Sequence, residues 1–422
     1  MYGLVDATSF YASAEKVFDP SIRNKPVVVL TNNDGCICAA CPIAERLGIP
    51  KFTPYFQIKD LLHKHGVIIR SSNYELYADL SERMMTVISR FCDNQYIYSI
   101  DESFLYFDNF HKAITNWYEY GHQIRKAIWK ETRLPVGVGF GTTATLAKAA
   151  NHAAKKLSGF DGVAVIDTKD SASAILQRMN TADVWGIGNR ITKKLALQNI
   201  HTALDLAKQN PKNIRQQFSV VTERTVSELN GTSCLSWDEV KTPKKEIFST
   251  RSFGQRISDY NLLNAALASH ASIVAKKLRQ QSSQVKKLMV FAANSPHDND
   301  YYKQALVYPF AIPTDNTSQL AQAVSLVLPK IYQSGVNFYR CGVGAIELAS
   351  NTFQQGDLFD VDNNNPALMK CVDNINKRYG AGSINVASAG QTQKWNMKRH
   401  FLSRQFTTNW QHPERINYVR QI

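Results

Sequence analysis

Asp101 and Glu102 stand side by side in Ser99-Ile100-Asp101-Glu102-Ser103, between the apolar runs Tyr96-Ile97-Tyr98 and Phe104-Leu105-Tyr106-Phe107. Both flanks have strand composition, so the acids fall at a tight junction on a sheet. Neighbouring carboxylates taken partly out of water repel each other and lose hydration, and a divalent cation is the usual compensation. A third acid, Asp6, follows the short apolar run Leu4-Val5. Three acids on neighbouring strands would make a two-Mg²⁺ site for phosphoryl transfer. An Asp-Glu pair at a strand end is also an ordinary solvated turn, so its surroundings must decide.

Those surroundings carry further chemistry. Asp6-Ala7-Thr8-Ser9-Phe10-Tyr11-Ala12 runs from a strand end into a helix expected at about 12–17, a turn that offers N–H groups to phosphates. Phe10 reads as core, and Tyr11 as a ring able to stack under a sugar. Lys148 and Lys155 lie seven apart in an Ala-rich helix expected over 142–156, roughly on one face. Aimed at the acids they would neutralise a polyphosphate; otherwise they are surface lysines. Val184-Trp185-Gly186-Ile187-Gly188-Asn189 reads as a helix–hairpin–helix whose Gly186 and Gly188 let backbone N–H groups approach a DNA phosphate. Lys193 and Lys194 favour that reading over a plain helix-joining turn. Gln355-Gly356-Asp357-Leu358-Phe359 offers a Leu-Phe anchor for a partner's groove.

These residues need a scaffold, and the composition bounds it. The 422 residues suggest two to four domains, and 44% hydrophobic with 20% charged residues is ordinary for a globular chain. The net charge of +14 points to a polyanion, nucleic acid before membrane. No apolar run approaches a membrane span, which implies a cytoplasmic protein with no membrane partner. Residues 241–353 hold 13 Lys and Arg against 6 acids, Arg251 and Arg256 among them, and read as a phosphate-tracking surface. Seven cysteines, an odd number, argue against a full disulfide framework. Cys36, Cys38 and Cys41 lack a fourth neighbouring ligand and fit no common zinc spacing, so they read as small residues lining a loop and helix start.

Residues 1–166 alternate between strand and helix patterns in the order of a split βαβ arrangement on an antiparallel sheet. The stretch 167–235 is helical without a convincing strand. A polar linker follows, and residues 246–349 form a second α+β module with strands at 246–256, 287–293, 302–310 and 336–348 and helices at 260–282 and 317–334. Beyond residue 350 the chain turns polar and loop-like, and its basic end, 399–422, is expected to be loose unless a partner holds it.

Taken in order, these segments resemble the Y-family translesion DNA polymerases over nearly the whole chain. The resemblance rests on Val5-Asp6…Phe10-Tyr11-Ala12-Ser13, Asn32-Asn33-Asp34-Gly35-Cys36, Ser71-Ser72-Asn73-Tyr74-Glu75-Leu76-Tyr77-Ala78-Asp79, Ser99–Ser103, Asn151-His152-Ala153-Ala154-Lys155-Lys156 and Val184–Gly188. It implies an α+β right hand: palm at 1–20 and 76–166, small fingers at 21–75, helical thumb with helix–hairpin–helix at 167–235, linker at 236–245, little finger at 246–349, and a clamp- and partner-binding tail at 350–422. Asp6, Asp101 and Glu102 match catalytic, metal-binding carboxylates, with the Ala7 backbone carbonyl as a further ligand for two Mg²⁺ ions. Tyr11 matches a steric gate that excludes a ribose 2′-OH. Phe10, Tyr11 and Lys155 match contacts to the incoming triphosphate. Gly186, Gly188, Lys193, Lys194, Arg251 and Arg256 would bind DNA. Gln355, Asp357, Leu358 and Phe359 resemble a β sliding clamp-binding segment.

The implied function is error-prone synthesis across damage in the SOS response. Its substrates would be primer-template DNA and dNTPs, and its partners the clamp, a UmuD-type dimer and a RecA filament. Small fingers residues Cys38, Ala39 and Ala40 would leave a loose roof over the base pair. Pro42-Ile43-Ala44-Glu45 departs from the family, because an acid stands where many members have a cation, and Arg46 follows about 100° round an ideal helix. The residue two after the first Asp, often polar or acidic, is Thr8, which leaves mainly its backbone carbonyl. A metal-dependent nuclease, which gives Tyr11 and Lys155 no clear task, and a catalytically weak DNA-bound scaffold, which Glu45 favours, are the competing readings.

Overall fold

The structure is a computed structural model that describes residues 1–108, 113–235, 243–351, 365–380, 382–390, 395, 397–409 and 411. It divides into two compact units, Met1–Val240 with His400–Ile422, and Lys241–Arg399.

In the first unit the order is β1 (Tyr2–Ala7), α1 (Phe10–Phe18), β2 (Val27–Leu30), β3 (Ile37–Ala40), α2 (Pro42–Arg46), α3 (Tyr55–Lys64), β4 (Ile68–Ser71), α4 (Tyr74–Ile88), β5 (Asn94–Ile97), β6 (Glu102–Tyr106), α5 (Trp117–Thr132), β7 (Val136–Gly141), α6 (Ala144–Lys156) and β8 (Val163–Ile166). Five strands form a sheet in the order β5-β6-β1-β7-β8. The central β1 runs antiparallel to both β6 and β7, and β7 is parallel to β8. Val5, Leu105, Val138 and Phe140 are buried with the apolar faces of α4 and α5, while Tyr2, Leu4 and Phe104 pack against Ala144 and Ala147 of α6.

The glycines of β7 determine how close α6 can come. A Cβ at Gly139 or Gly141 would overlap the backbone of α6 at Asn151 and Ala147, so the helix lies directly on the strand. Asn151 fixes the register by donating its side-chain amide to the Leu4 and Gly137 carbonyls, at 3.2 and 2.8 Å. A smaller sheet, β3-β2-β4, occupies the interval expected for the fingers.

Five short helices follow: α7 (Lys169–Leu176), α8 (Asn189–Ala196), α9 (Ala203–Ala207), α10 (Pro211–Gln217) and α11 (Val220–Leu229). Thr168 and Thr202 start α7 and α9 with capping boxes. No strand forms among the described residues here, as expected. The buried Glu228 carboxylate of α11 joins these helices to the start of α6 and the chain after α11. It accepts from the Thr145 N–H and hydroxyl at 2.9 and 2.7 Å, and from the Cys234 and Leu235 N–H groups at 3.0 and 3.1 Å. Four donors and the N-terminal end of α6 offset the desolvation of that charge.

The second unit contains β9 (Ile247–Ile257), α12 (Tyr260–Gln280), β10 (Ser283–Ala293), β11 (Lys303–Thr314), α13 (Thr317–Ile331), β12 (Phe338–Ser350) and α14 (Pro366–Tyr379). Its antiparallel sheet is ordered β11-β10-β12-β9. Pro309 and Pro313 sit in the edge strand β11, where a missing N–H is tolerated.

Beyond residue 350 several described segments are ordered, and residues 400–409 depart from the expectation of a loose basic end. Asn365 and Pro366 start α14, and Arg279 of α12 forks onto Asp373 at 2.7 and 2.8 Å. Trp395 is buried in the core of the second unit. Residues 400–409 dock on the first unit, where Phe401 exchanges backbone and side-chain hydrogen bonds with Ser71. A few anchors (Met369, Trp395, Phe401 and Phe406) suffice to seat a segment whose average composition is polar.

Candidate active site

The sheet register assembles the acids. Asp6 pairs directly with Glu102 on one side and with Gly137 on the other, so the Asp6 and Glu102 side chains share a face. Asp101 is the last residue of the β5–β6 turn, and its carbonyl accepts the Ala7 N–H at 2.9 Å. The Asp101 carboxylate accepts the Ser99 hydroxyl at 2.5 Å. Ala7 is buried beside Asp6.

Each of two acids carries a lysine from α6. Lys155 Nζ lies 2.7 Å from Asp6 Oδ2, and Lys148 Nζ lies 3.1 Å from Glu102 Oε2. Gly137 makes the first contact possible: a Cβ there would stand 2.5 Å from Lys155 Cγ, so the stem runs through space that only glycine leaves open. Lys148 is caged as well, 5.0 Å from the Tyr98 ring centroid and 5.3 Å from that of Trp185. Burial pushes the Asp6 carboxyl above its ordinary range, against the pull of Lys155. It raises Glu102 likewise, against Lys148 and with help from Asp6 and Asp101. Burial therefore works against charge on Asp6 and Glu102, and the two ammonium groups work for it.

Three carboxylates are the hard oxygen donors that Mg²⁺ prefers, and their donor chemistry fits that ion. As they stand, with two engaged by lysines and one by Ser99, no three His, Cys, Asp or Glu side chains among the described residues form a ready-made metal cluster.

Tyr11 lies on the first turn of α1, half-buried, stacked on Tyr77 of α4 at 4.6 Å between centroids and 18° between planes. Burial raises its phenol to about 12, so it stays protonated. The Phe10 side chain is core at 3% exposure, so only its backbone is left for a phosphate. Thr8 donates its N–H to the Pro135 carbonyl at 2.8 Å, and its own carbonyl accepts the Ser13 hydroxyl at 2.7 Å. Of Cys38, Ala39 and Ala40, the two alanines are buried, and Cys38, which the β2–β3 register skips, is the one left half-buried. All seven cysteines are free thiols. Glu45 is held between Lys51 at 2.6 Å and Lys156 at 3.0 Å. Desolvation would raise its carboxyl, but the two lysines outweigh that and hold it below the usual range.

Gly186 takes a positive φ of 86°, which places it in the left-handed region that favours glycine, and Gly188 precedes α8 with no side-chain cap. Both are exposed, as are Lys193 and Lys194. Trp185 of the same motif packs on Phe104 of β6 and on Tyr98, a contact that the hairpin pattern did not reveal. In the second unit Arg251 is half-buried on β9, and Arg256 forks onto Asp298 at 2.7 and 2.8 Å, so a phosphate would compete with that carboxylate. Gln355, Asp357, Leu358 and Phe359 lie outside the described residues, as does most of the expected linker. No helix among the described residues is long and apolar enough to cross a membrane.

A profile described as the impB/mucB/samB family matches residues 5–152, and its C-terminal domain profile matches residues 244–358. The chain is 40% identical to Protein UmuC of Salmonella typhimurium strain LT2, over 97% of its own length and 98% of that protein's. The chain belongs to the impB/mucB/samB family. It is a UmuC homologue, and the Y-family resemblance holds. Protein MucB of Escherichia coli is 35% identical over 97% of the chain and 98% of that protein. DNA polymerase IV 1 of Bacillus subtilis is 24% identical over 90% and 91%. Among solved structures, a Y-family DNA polymerase chimera of Dbh and Dpo4 matches 82% of this chain and 98% of that one, with a TM-score of 0.62 at 19% identity. That likeness carries the α+β multidomain fold. A profile described only as a domain of unknown function, DUF4113, matches residues 366–412, which include α14 and the docked segment.

Proposed function

We propose that this UmuC homologue is a translesion DNA polymerase that adds deoxynucleotides to a primer 3′-OH opposite damaged template, in an SOS-type response. The observation that carries the reading is the pairing of Asp6 with Glu102, beside Asp101 and under Lys155, in a chain 40% identical to UmuC. Asp6, Asp101 and Glu102, with the Ala7 carbonyl, would hold two Mg²⁺ ions. When bound, such ions lower the pKa of an attacking hydroxyl and neutralise a polyphosphate leaving group.

The remaining steps belong to the chain's own residues. Lys155 releases Asp6 and takes the charge of the incoming triphosphate. Lys148, steadied by Tyr98 and Trp185, leaves Glu102 and keeps its charge beside the acids. The Tyr11 ring lies under the sugar and excludes a 2′-OH. Cys38 leaves the base pair loosely covered, which admits distorted templates and lowers discrimination. Gly186, Gly188, Lys193 and Lys194 track the DNA backbone without reading bases. Arg251 and Arg256 add phosphate contacts, the latter once it exchanges Asp298 for a phosphate. Gln355–Phe359 would dock on a sliding clamp, and a UmuD-type dimer and a RecA filament are the further partners, on the strength of the homology with UmuC.

Primer extension across an abasic site, with Mg²⁺ and with or without dNTPs, tests the reading. Asp101→Asn is expected to abolish extension. Near-normal extension by that variant would remove the acids from the chemistry, and Mg²⁺-dependent shortening of the primer without dNTPs would favour a nuclease.

A further inference from the structure

The segment His400–Asn409 approaches Tyr11 through an unbroken chain of contacts. The Ser71 N–H donates to the Phe401 carbonyl at 3.0 Å, and the Phe401 N–H donates back to the Ser71 hydroxyl oxygen at 3.0 Å. Ser71 ends β4, whose other side is paired with β2, so the segment adds to the free edge of the fingers sheet. The His400 N–H donates to Asp34 Oδ2 at 2.8 Å. Phe401 packs edge-on against Tyr55, and Phe406 stacks on Phe18 of α1 at 5.1 Å. At the centre stands Ser403. Its hydroxyl oxygen accepts from Asn73 Nδ2 at 2.9 Å, and the hydroxyl donates to Glu15 Oε1 at 3.0 Å. The same Glu15 oxygen accepts the Tyr77 hydroxyl at 2.7 Å, and the Tyr77 ring stacks under Tyr11.

The inner links are constrained by burial. Glu15 is 3% exposed and Tyr77 fully buried, so neither has water as an alternative partner. Desolvation raises the Glu15 carboxyl, and the Tyr77 and Ser403 hydrogen bonds and the nearby Arg70 work against that rise. A buried acceptor that loses one of its donors loses part of what offsets its desolvation. The Tyr77 side chain cannot swing to another χ1 rotamer without surrendering its hydroxyl partner, and Tyr11 cannot tilt without leaving Tyr77 or meeting Tyr74, which lies edge-on to both rings.

We infer that residues 400–409 are an intramolecular strap that sets the Tyr11 ring, with Ser403, Glu15 and Tyr77 as positioning residues for sugar selection. This rests on the reading of Tyr11 as the sugar gate. It gives residues 400–409 a task beside Tyr11 rather than only at a partner's surface.

The test compares incorporation of a matched dNTP and the corresponding rNTP by the full-length chain, with partner proteins added wherever extension needs them. The variants are Tyr11→Ala, Ser403→Ala and Ser403→Thr, the last retaining the hydroxyl at a half-buried position. Tyr11→Ala is expected to collapse selectivity. Ser403→Ala is expected to lower the dNTP-to-rNTP ratio about fivefold, the equivalent of about 1 kcal/mol at 1.4 kcal/mol per tenfold. Its dNTP rate should stay within about twofold, and Ser403→Thr should keep the wild-type ratio. Hydrogen exchange over residues 71–77 should quicken in Ser403→Ala and not in Ser403→Thr. If Tyr11→Ala loses selectivity while Ser403→Ala keeps it, the strap does not act on the gate. A proportional fall for both nucleotides, or unchanged exchange, overturns it equally. Unchanged selectivity in Tyr11→Ala removes the gate reading itself and the strap's role with it.

Discussion

Gly137→Ala should cost activity by a route visible in the geometry. The backbone at Gly137 is ordinary strand, so alanine brings no φ strain. Its Cβ would lie 2.5 Å from Lys155 Cγ and 3.0 Å from Cδ, against about 3.4–4 Å for ordinary contact. Cγ sits near the base of the side chain, so relief requires a new rotamer. That swings Nζ away from its 2.7 Å contact with Asp6. Fold cost is modest: overpacking of this kind is worth about 1–3 kcal/mol. Activity should respond more. Losing one well-placed charge donor costs about a hundredfold in rate, roughly 3 kcal/mol. Steady-state incorporation of one dNTP, with melting followed in parallel, should show Gly137→Ala close to Lys155→Ala in kcat/KM. Since both act through one group, the double variant should be little worse than Lys155→Ala alone. Near-wild-type kcat/KM in Gly137→Ala, or fully additive losses, would refute the argument that glycine is there to seat the lysine.

Gly139→Ala places its Cβ on the α6 backbone instead of a flexible stem, so it should unfold or markedly destabilise the first unit; a normal melting temperature would contradict the packing of α6 on β7. Burial holds the His270 imidazole at about 4, with Arg251 and Lys277 adding to the depression and the Ser249 hydroxyl 2.8 Å from Nδ1. The unfolded chain therefore takes up this proton first. The second unit should be most stable above about pH 6.5 and lose up to about 3 kcal/mol as the pH falls toward 4. Denaturant melts of His270→Gln should lack that slope, and an identical slope would exclude His270 as its source. For Glu45→Gln, KM for dNTP should change less than about threefold, because Lys51 and Lys156 already neutralise the acid and exposed pairs of this kind are worth about 1 kcal/mol at most. A tenfold fall in KM would mean that the carboxylate acts directly on the triphosphate.

Much of the fold is legible because period and length agree. In the second unit, the helix expected over 260–282 runs Tyr260–Gln280, and the strand expected over 336–348 runs Phe338–Ser350. Long, strongly patterned elements leave little choice of type. The interval 21–75 is less legible. Ile37–Ala40 and Ile68–Ser71 are four residues each, too short for a periodic signal, and Tyr55–Lys64 carries polar residues on most of its surface. The tail fails for another reason. Its order comes from single anchors meeting partners hundreds of residues away, such as Phe401 at Ser71, and composition averaged over a window does not register them.

The site divides along the same line. Acids and lysines are readable as residue types, and the acids' juxtaposition follows from strand neighbours. What joins each lysine to its acid is an absence of side chain, at Gly137 and Gly139, and alternating glycines in a buried strand are the one signal that could have shown it. The structure also recasts Glu45. From sequence it is an acid facing a triphosphate; in space it is the centre of a three-residue charge cluster in which two cations outnumber it. Asp6 and Glu102 obey the same electrostatics at greater depth. Burial drives both toward their neutral forms, the lysines placed against them pull the other way, and a divalent ion in the site would pull in the same direction as those lysines with a higher charge.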